Sequence, residues 1–89
     1  MALNREKVEA EILAKVVELA RYQGKDARNL QPDQMIPQSG LLDSAGLMEL
    51  MLWFETQHDL TIGQDELTME NFGTVRAMVA YLERARGNA

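Results

Sequence analysis

Apolar residues recur with helical spacing in three stretches of the chain. Val8, Ile12, Val16 and Leu19 form a stripe at intervals of three and four, which predicts a helix over about 4–22. Leu13, Val17 and Ala20 widen that stripe. Asn4 can cap its start, Glu6 suits the positive end of the helix dipole, and Gly24 follows the last turn as a C-terminal stop. A second helix is expected over about 44–58, with Leu47, Leu50, Met51 and Phe54 on its core face. Ala45, Met48 and Leu52 lie on a neighbouring face of that helix, and Trp53 adds further apolar surface. A helix apolar on more than one face is either deeply buried or offers one face to a partner. A short helix over 68–71 and a final helix over 74–85 complete the pattern. Phe72 is the core plug between them, and Val75, Met78, Val79 and Leu82 form the last stripe.

Between the first two helices, residues 23–43 carry no clear period and contain Pro32, Pro37, Gly24 and Gly40. A connection this long in a compact domain is usually ordered or functional. Leu30, Met35, Ile36, Leu41 and Leu42 should pin it to the core, with one helical turn near Pro32–Gln34. The expected fold is all-α, three main helices plus one short helix, in a single domain spanning 1–89.

Composition narrows the chemistry. The chain has no cysteine, so it has no disulfide, thiolate nucleophile or cysteine-bound metal; one histidine, His58, makes no zinc site. No metal is expected. Residues 1–11 carry no apolar signal core and no apolar run is long enough to span a membrane, so a cytoplasmic chain is expected.

Net charge is −5, and its distribution is uneven. Residues 43–72 contain Asp43, Glu49, Glu55, Asp59, Asp65, Glu66 and Glu70 but no Lys or Arg. That field repels nucleic acid and favours a basic protein partner. Asp65 and Glu66 lack the ligand spacing of a calcium loop and read as a solvated turn. Catalysis by a Ser–His pair fails on distance: Ser44 and His58 are fourteen positions apart on one predicted helix, about 21 Å. No catalytic residue is therefore assigned, and His58 is expected to face solvent at the helix end.

The stretch Gly40-Leu41-Leu42-Asp43-Ser44-Ala45-Gly46-Leu47-Met48-Glu49-Leu50 carries the remaining information. A serine at a helix start has an exposed hydroxyl beside unpaired N–H groups, which favour an attached phosphodiester. Asp43 stands at the N-cap, and Gly46 is expected to leave space beside Ser44. In this stretch, in the long first loop and in Asn71-Phe72-Gly73-Thr74-Val75 opening the last helix, the chain resembles the acyl carrier protein family, including its peptidyl and aminoacyl carriers. The resemblance covers nearly the whole chain.

That resemblance implies a small acyl-carrier-like four-helix bundle, not an enzyme. It implies that Ser44 accepts 4′-phosphopantetheine from coenzyme A, and that Asp43 helps the transferase place Ser44. The chain would then be a monomeric carrier that holds an acyl or aminoacyl group as a thioester. Its partners would be a phosphopantetheinyl transferase, a loading ligase and a downstream acyl-accepting enzyme. The expected docking surface is Ala45, Met48, Glu49, Leu52 and Glu55, with the acids flanking an apolar centre. Many family members carry Leu after the serine; Ala45 shrinks that contact. Trp53 is larger than the residue common at its place and reads first as core filling. These departures and the Asn71-Phe72-Gly73-Thr74 segment point to a specialised or secondary-metabolic carrier. A bundle this small encloses little spare volume around Leu47, Phe54 and Leu82, so a short or polar cargo held outside the core is expected. The alternative is a helical interaction domain that keeps the carrier fold unmodified.

Overall fold

A computed structural model describes residues 4–86; the outer positions of the expected 1–89 domain, 1–3 and 87–89, lie outside the described residues. The elements are α1 (Arg5–Tyr22), α2 (Ile36–Ser39), α3 (Ser44–His58), a 3-10 turn (Gln64–Glu66), α4 (Met69–Phe72) and α5 (Val75–Arg86). The three long helices stand where the apolar stripes place them. Asn4 caps α1 by accepting from the Lys7 N–H at 3.1 Å, and Thr74 Oγ1 accepts from the Ala77 N–H at 3.0 Å to start α5. Helix α1 packs against both α3 and α5, and α4 against α5.

The core is built from Ile12 and Val16 of α1, Leu50 and Phe54 of α3, and Val75, Met78 and Leu82 of α5, all without significant exposure. Ala27, Leu30, Ile36 and Leu42 bring the long connection into the same cluster, while Met35 and Leu41 are half-buried. Backbone bonds staple this connection to the far end of the chain. The Ile36 N–H donates to the Gly73 carbonyl at 2.7 Å, and the Arg76 N–H donates to the Pro32 carbonyl at 2.8 Å. The Asp26 carboxylate takes the Arg28 backbone N–H and two guanidinium bonds, which hold its pKa far below the ordinary carboxylate value. The expected turn near Pro32–Gln34 is closed by the Gln34 N–H on the Gln31 carbonyl, and α2 follows as an additional short helix. Pro37 lies in the first turn of α2, where its missing N–H costs nothing, and Gly40 ends the helix at φ 75°.

His58 is buried rather than facing solvent. It follows Phe54 by four residues, so it continues the core stripe of α3. Its ring packs against Phe54 at 5.0 Å and edge-on to Trp53 at 6.3 Å between centroids. Its Nε2 has no hydrogen-bond partner among the described residues, and its carbonyl accepts from the Arg86 guanidinium. Burial pushes its pKa below the ordinary 6.5; Arg86 adds to that shift, and Glu11 opposes it. A folded-state pKa below the unfolded one gives stability that is complete above 6.5 and is lost as pH falls through the folded value. The urea midpoint is expected to drop between pH 7 and pH 5, with a smaller drop in His58→Leu. Equal drops in both proteins would assign the loss to carboxylates.

Candidate functional site

The site is organised by the first turn of α3. Asp43, with extended backbone, is its N-cap: Oδ1 accepts from the Gly46 N–H at 2.7 Å. The same oxygen accepts from the Gln23 side-chain amide at 2.7 Å, which ties the end of α1 to the start of α3. These two bonds, the Gly46 bond first, hold the Asp43 pKa below the usual 3.8. The carboxylate thus stays ionised across the neutral range, and its capping contribution is lost only as pH falls below 3.8. Gly40, which precedes the motif, is held by the Lys25 ammonium on its carbonyl at 2.6 Å. Ser44 is the first residue of the helix and is exposed. Among the described residues, no protein acceptor is bonded to the N–H groups of Ser44 and Ala45. A 15-residue helix presents these donors and its dipole at one end, a setting that suits a phosphate diester on the Ser44 oxygen.

Gly46 has a different role from the one expected of it. It is buried, and a Cβ there would meet Leu42 Cβ at 3.2 Å, Gln23 Nε2 at 3.3 Å and Asp43 Oδ1 at 3.4 Å. Its missing side chain lets the loop and the cap close against α3; it does not make room for a group on Ser44.

Room for such a group lies elsewhere. An open groove of about 310 Å³ begins at Ser44 and runs between α3 and the segment leading into α4, with Leu47, Met48, Met51, Leu67 and Met69 among its lining residues. Met48, Leu67 and Met69 are about half exposed there, so the surface beside Ser44 is apolar and open. Gln23, Leu67 and Met69 belong to this site and were not anticipated. No local sequence signal marks Gln23, which reaches Asp43 across 20 positions.

The five expected docking residues do not share one environment. Ala45, Met48, Glu49 and Leu52 form a continuous exposed face of α3. Glu55 is half-buried, and its Oε2 accepts from the Ile62 N–H at 2.7 Å, so it anchors the loop after α3. Trp53 is half-buried against the core. Asp65 and Glu66 lie in the 3-10 turn, where Glu66 Oε1 accepts from the Tyr81 hydroxyl at 2.9 Å. Among the described residues no cluster of three or more His, Cys, Asp or Glu could hold a metal, and no helix is long and apolar enough to cross a membrane.

The first turn of α3 thus sets an exposed serine beside a capping aspartate and at the mouth of an apolar groove. The family described as Phosphopantetheine attachment site matches residues 10–82. Aminoacyl carrier protein 2 of Bradyrhizobium diazoefficiens is 38% identical over 63 residues, covering 71% of this chain and 70% of that protein. No solved structure matches the chain. The chain belongs to the phosphopantetheine attachment-site family: it is a carrier protein of the acyl carrier type, and it carries groups rather than catalysing their reactions. Carriers of this family work with a transferase that attaches the group and with enzymes that handle the acyl chain.

Proposed function

We propose that the chain carries an amino acid as a thioester on 4′-phosphopantetheine attached to Ser44, and delivers it between enzymes of a specialised biosynthetic route. The exposed Ser44 hydroxyl at the capped start of α3, opening onto the groove, is the observation that carries this reading. In attachment, the Ser44 oxygen bonds to the phosphorus next to pantetheine in coenzyme A. The hydroxyl proton is lost, and the bond from that phosphorus to the adenosine bisphosphate breaks. The attached group supplies a terminal thiol on a flexible arm. The residues of the chain would hold its root: Asp43 fixes the first turn, and the N–H groups of Ser44 and Ala45, unbonded among the described residues, would serve the phosphate.

Two observations support a small cargo. Leu50, Phe54 and Leu82 are fully buried, and an interior at crystal-like density resists opening for a long chain. The groove beside Ser44 is apolar and open to solvent, so a small group on the arm can rest at the surface without entering the core. The kinship to a protein named as an aminoacyl carrier favours an amino acid among small cargoes.

In this reading 1–89 acts as one monomeric carrier domain in the cytoplasm, where coenzyme A and ATP are supplied. Its partners are a phosphopantetheinyl transferase, an adenylating ligase that loads the amino acid, and a downstream acceptor enzyme. Met48 and Leu52 form the apolar centre of docking and Glu49 its charged rim, an arrangement suited to a transient interface. Asp43 positions Ser44 for the transferase. The reading is tested by incubating the phosphopantetheinylated protein with an adenylating ligase, ATP, and amino acids or short and long carboxylic acids in turn. A hydroxylamine-labile mass gain with an amino acid is expected. Gain with long-chain acids alone would replace the aminoacyl reading.

A further inference from the structure

On the opposite side of the first turns of α3 from the groove, a second cavity of about 270 Å³ lies between α3 and the end of α1. Leu19 and Ala45 make it apolar, Tyr22 and Gln23 close it from α1, and Glu49 stands at its edge. Tyr22 is 82% exposed, the most exposed large apolar side chain among the described residues. Glu49 is exposed and forms no ion pair among the described residues. Gln23 is already committed, since its amide holds Asp43. Ala45 lines the cavity from α3 with only a methyl group, and Gly46 beside it adds no side chain.

An apolar pocket with an aromatic wall and a carboxylate edge matches one side chain well. An arginine buries its aliphatic stem against apolar surface, lays its guanidinium on a ring and pairs with a carboxylate. The charge pattern fits the same occupant. From Asp43 to Phe72 the chain has no Lys or Arg of its own to compete. The nearby cations Arg21, Lys25 and Arg28 line a separate cavity, and the Lys25 ammonium is donated to the Gly40 carbonyl.

We propose that the Tyr22–Ala45–Glu49 cavity receives an arginine side chain from the enzyme that docks on α3, so that partner choice is read on the α1 side of Ser44 as well as at the groove. This rests on the reading of α3 as the docking face. Tyr22 and Ala45 become specificity-determining residues, Tyr22 by stacking and Ala45 by leaving the cavity open.

The test titrates N-acetyl-arginine methylamide, and its uncharged citrulline counterpart, into the isotope-labelled full chain at low ionic strength. Saturable amide shifts are expected at Tyr22, Ala45 and Glu49 with the arginine compound and not with citrulline, while Met48, Leu67 and Met69 stay still. Tyr22→Ala should weaken binding about twofold to fivefold, the range for an exposed cation–π contact. Ala45→Leu, at an exposed helical position that Leu tolerates, should abolish it with the amide spectrum otherwise unchanged. Equal response to citrulline, shifts centred on residues 59–70, or full binding in both variants would overturn the proposal. Aminoacyl loading without arginine binding would refute this pocket and leave the carrier reading standing; arginine binding without loading would do the reverse.

Discussion

Ser44→Ala should abolish transfer of phosphopantetheine from coenzyme A, and Ser39→Ala should not. The two serines are the only ones in the chain, and they stand five positions apart. Their surroundings decide between them. Ser39 Oγ donates to the Ile36 carbonyl at 2.6 Å and accepts from the Leu41 N–H at 3.2 Å, so its hydroxyl is half-buried and occupied by the end of α2. Ser44 is exposed, and its side chain makes no hydrogen bond among the described residues. The cap of α3 is made by Asp43, so Ser44→Ala should leave helix content and thermal midpoint within experimental error. Intact mass after incubation with a phosphopantetheinyl transferase reads the outcome. A mass gain in Ser44→Ala would place the attachment elsewhere.

Gly73→Ala should be among the most damaging single substitutions. Gly73 is buried where the long connection meets the segment between α4 and α5. Its backbone angles are ordinary for any residue, with φ −75°, so conformation is not the reason. A Cβ there would stand 2.5 Å from the Met69 carbonyl oxygen and 2.9 Å from Met35 Cε. Met35 can swing away, but the Met69 carbonyl cannot, because it accepts the Gly73 N–H at 2.8 Å and closes α4. Relief would have to move the Gly73 carbonyl, which holds the Ile36 N–H. Strain of this kind costs about 2–3 kcal/mol, which in a domain of this size lowers the melting midpoint by roughly 10–16 °C. Gly46→Ala is the contrast, since its Cβ would meet only side-chain atoms, none closer than 3.2 Å. A melting midpoint for Gly73→Ala equal to that of the parent would contradict the packing described at this crossing.

Much of this architecture is legible in the chain because its helices are amphipathic. Val8, Ile12, Val16 and Leu19 repeat over several turns and define both the element and its buried face; in α3 the stripe Leu47, Leu50, Met51 and Phe54 marks the element, but only Leu50 and Phe54 are buried, while Leu47 and Met51 are half-buried and line the groove. Helix α2 has four residues, too few for a period, and Pro37 reads as a breaker until its place in the first turn is known. His58 shows a different failure. A histidine at a helix end has a favourable charge interaction to offer, yet its place four residues after Phe54 puts it in the core, and burial outweighs that charge.

At the site, Asp43 and Ser44 are readable because capping is local chemistry. The Gln23 bond, the packing of Gly46 and the two cavities on either side of Ser44 arise from parts of the chain far apart in sequence. Glu55 is also local in sequence to the docking face, but its bond to the Ile62 N–H depends on how the following loop returns.

Tandem mass spectrometry of the parent protein, digested after reaction with coenzyme A and a phosphopantetheinyl transferase, tests the central claim most directly. One phosphopantetheine per chain is predicted, on the peptide containing Leu42-Asp43-Ser44-Ala45, with fragment ions assigning it to Ser44. A protein that stays unmodified under conditions that modify another carrier, or that carries the group on any other residue, would contradict the account.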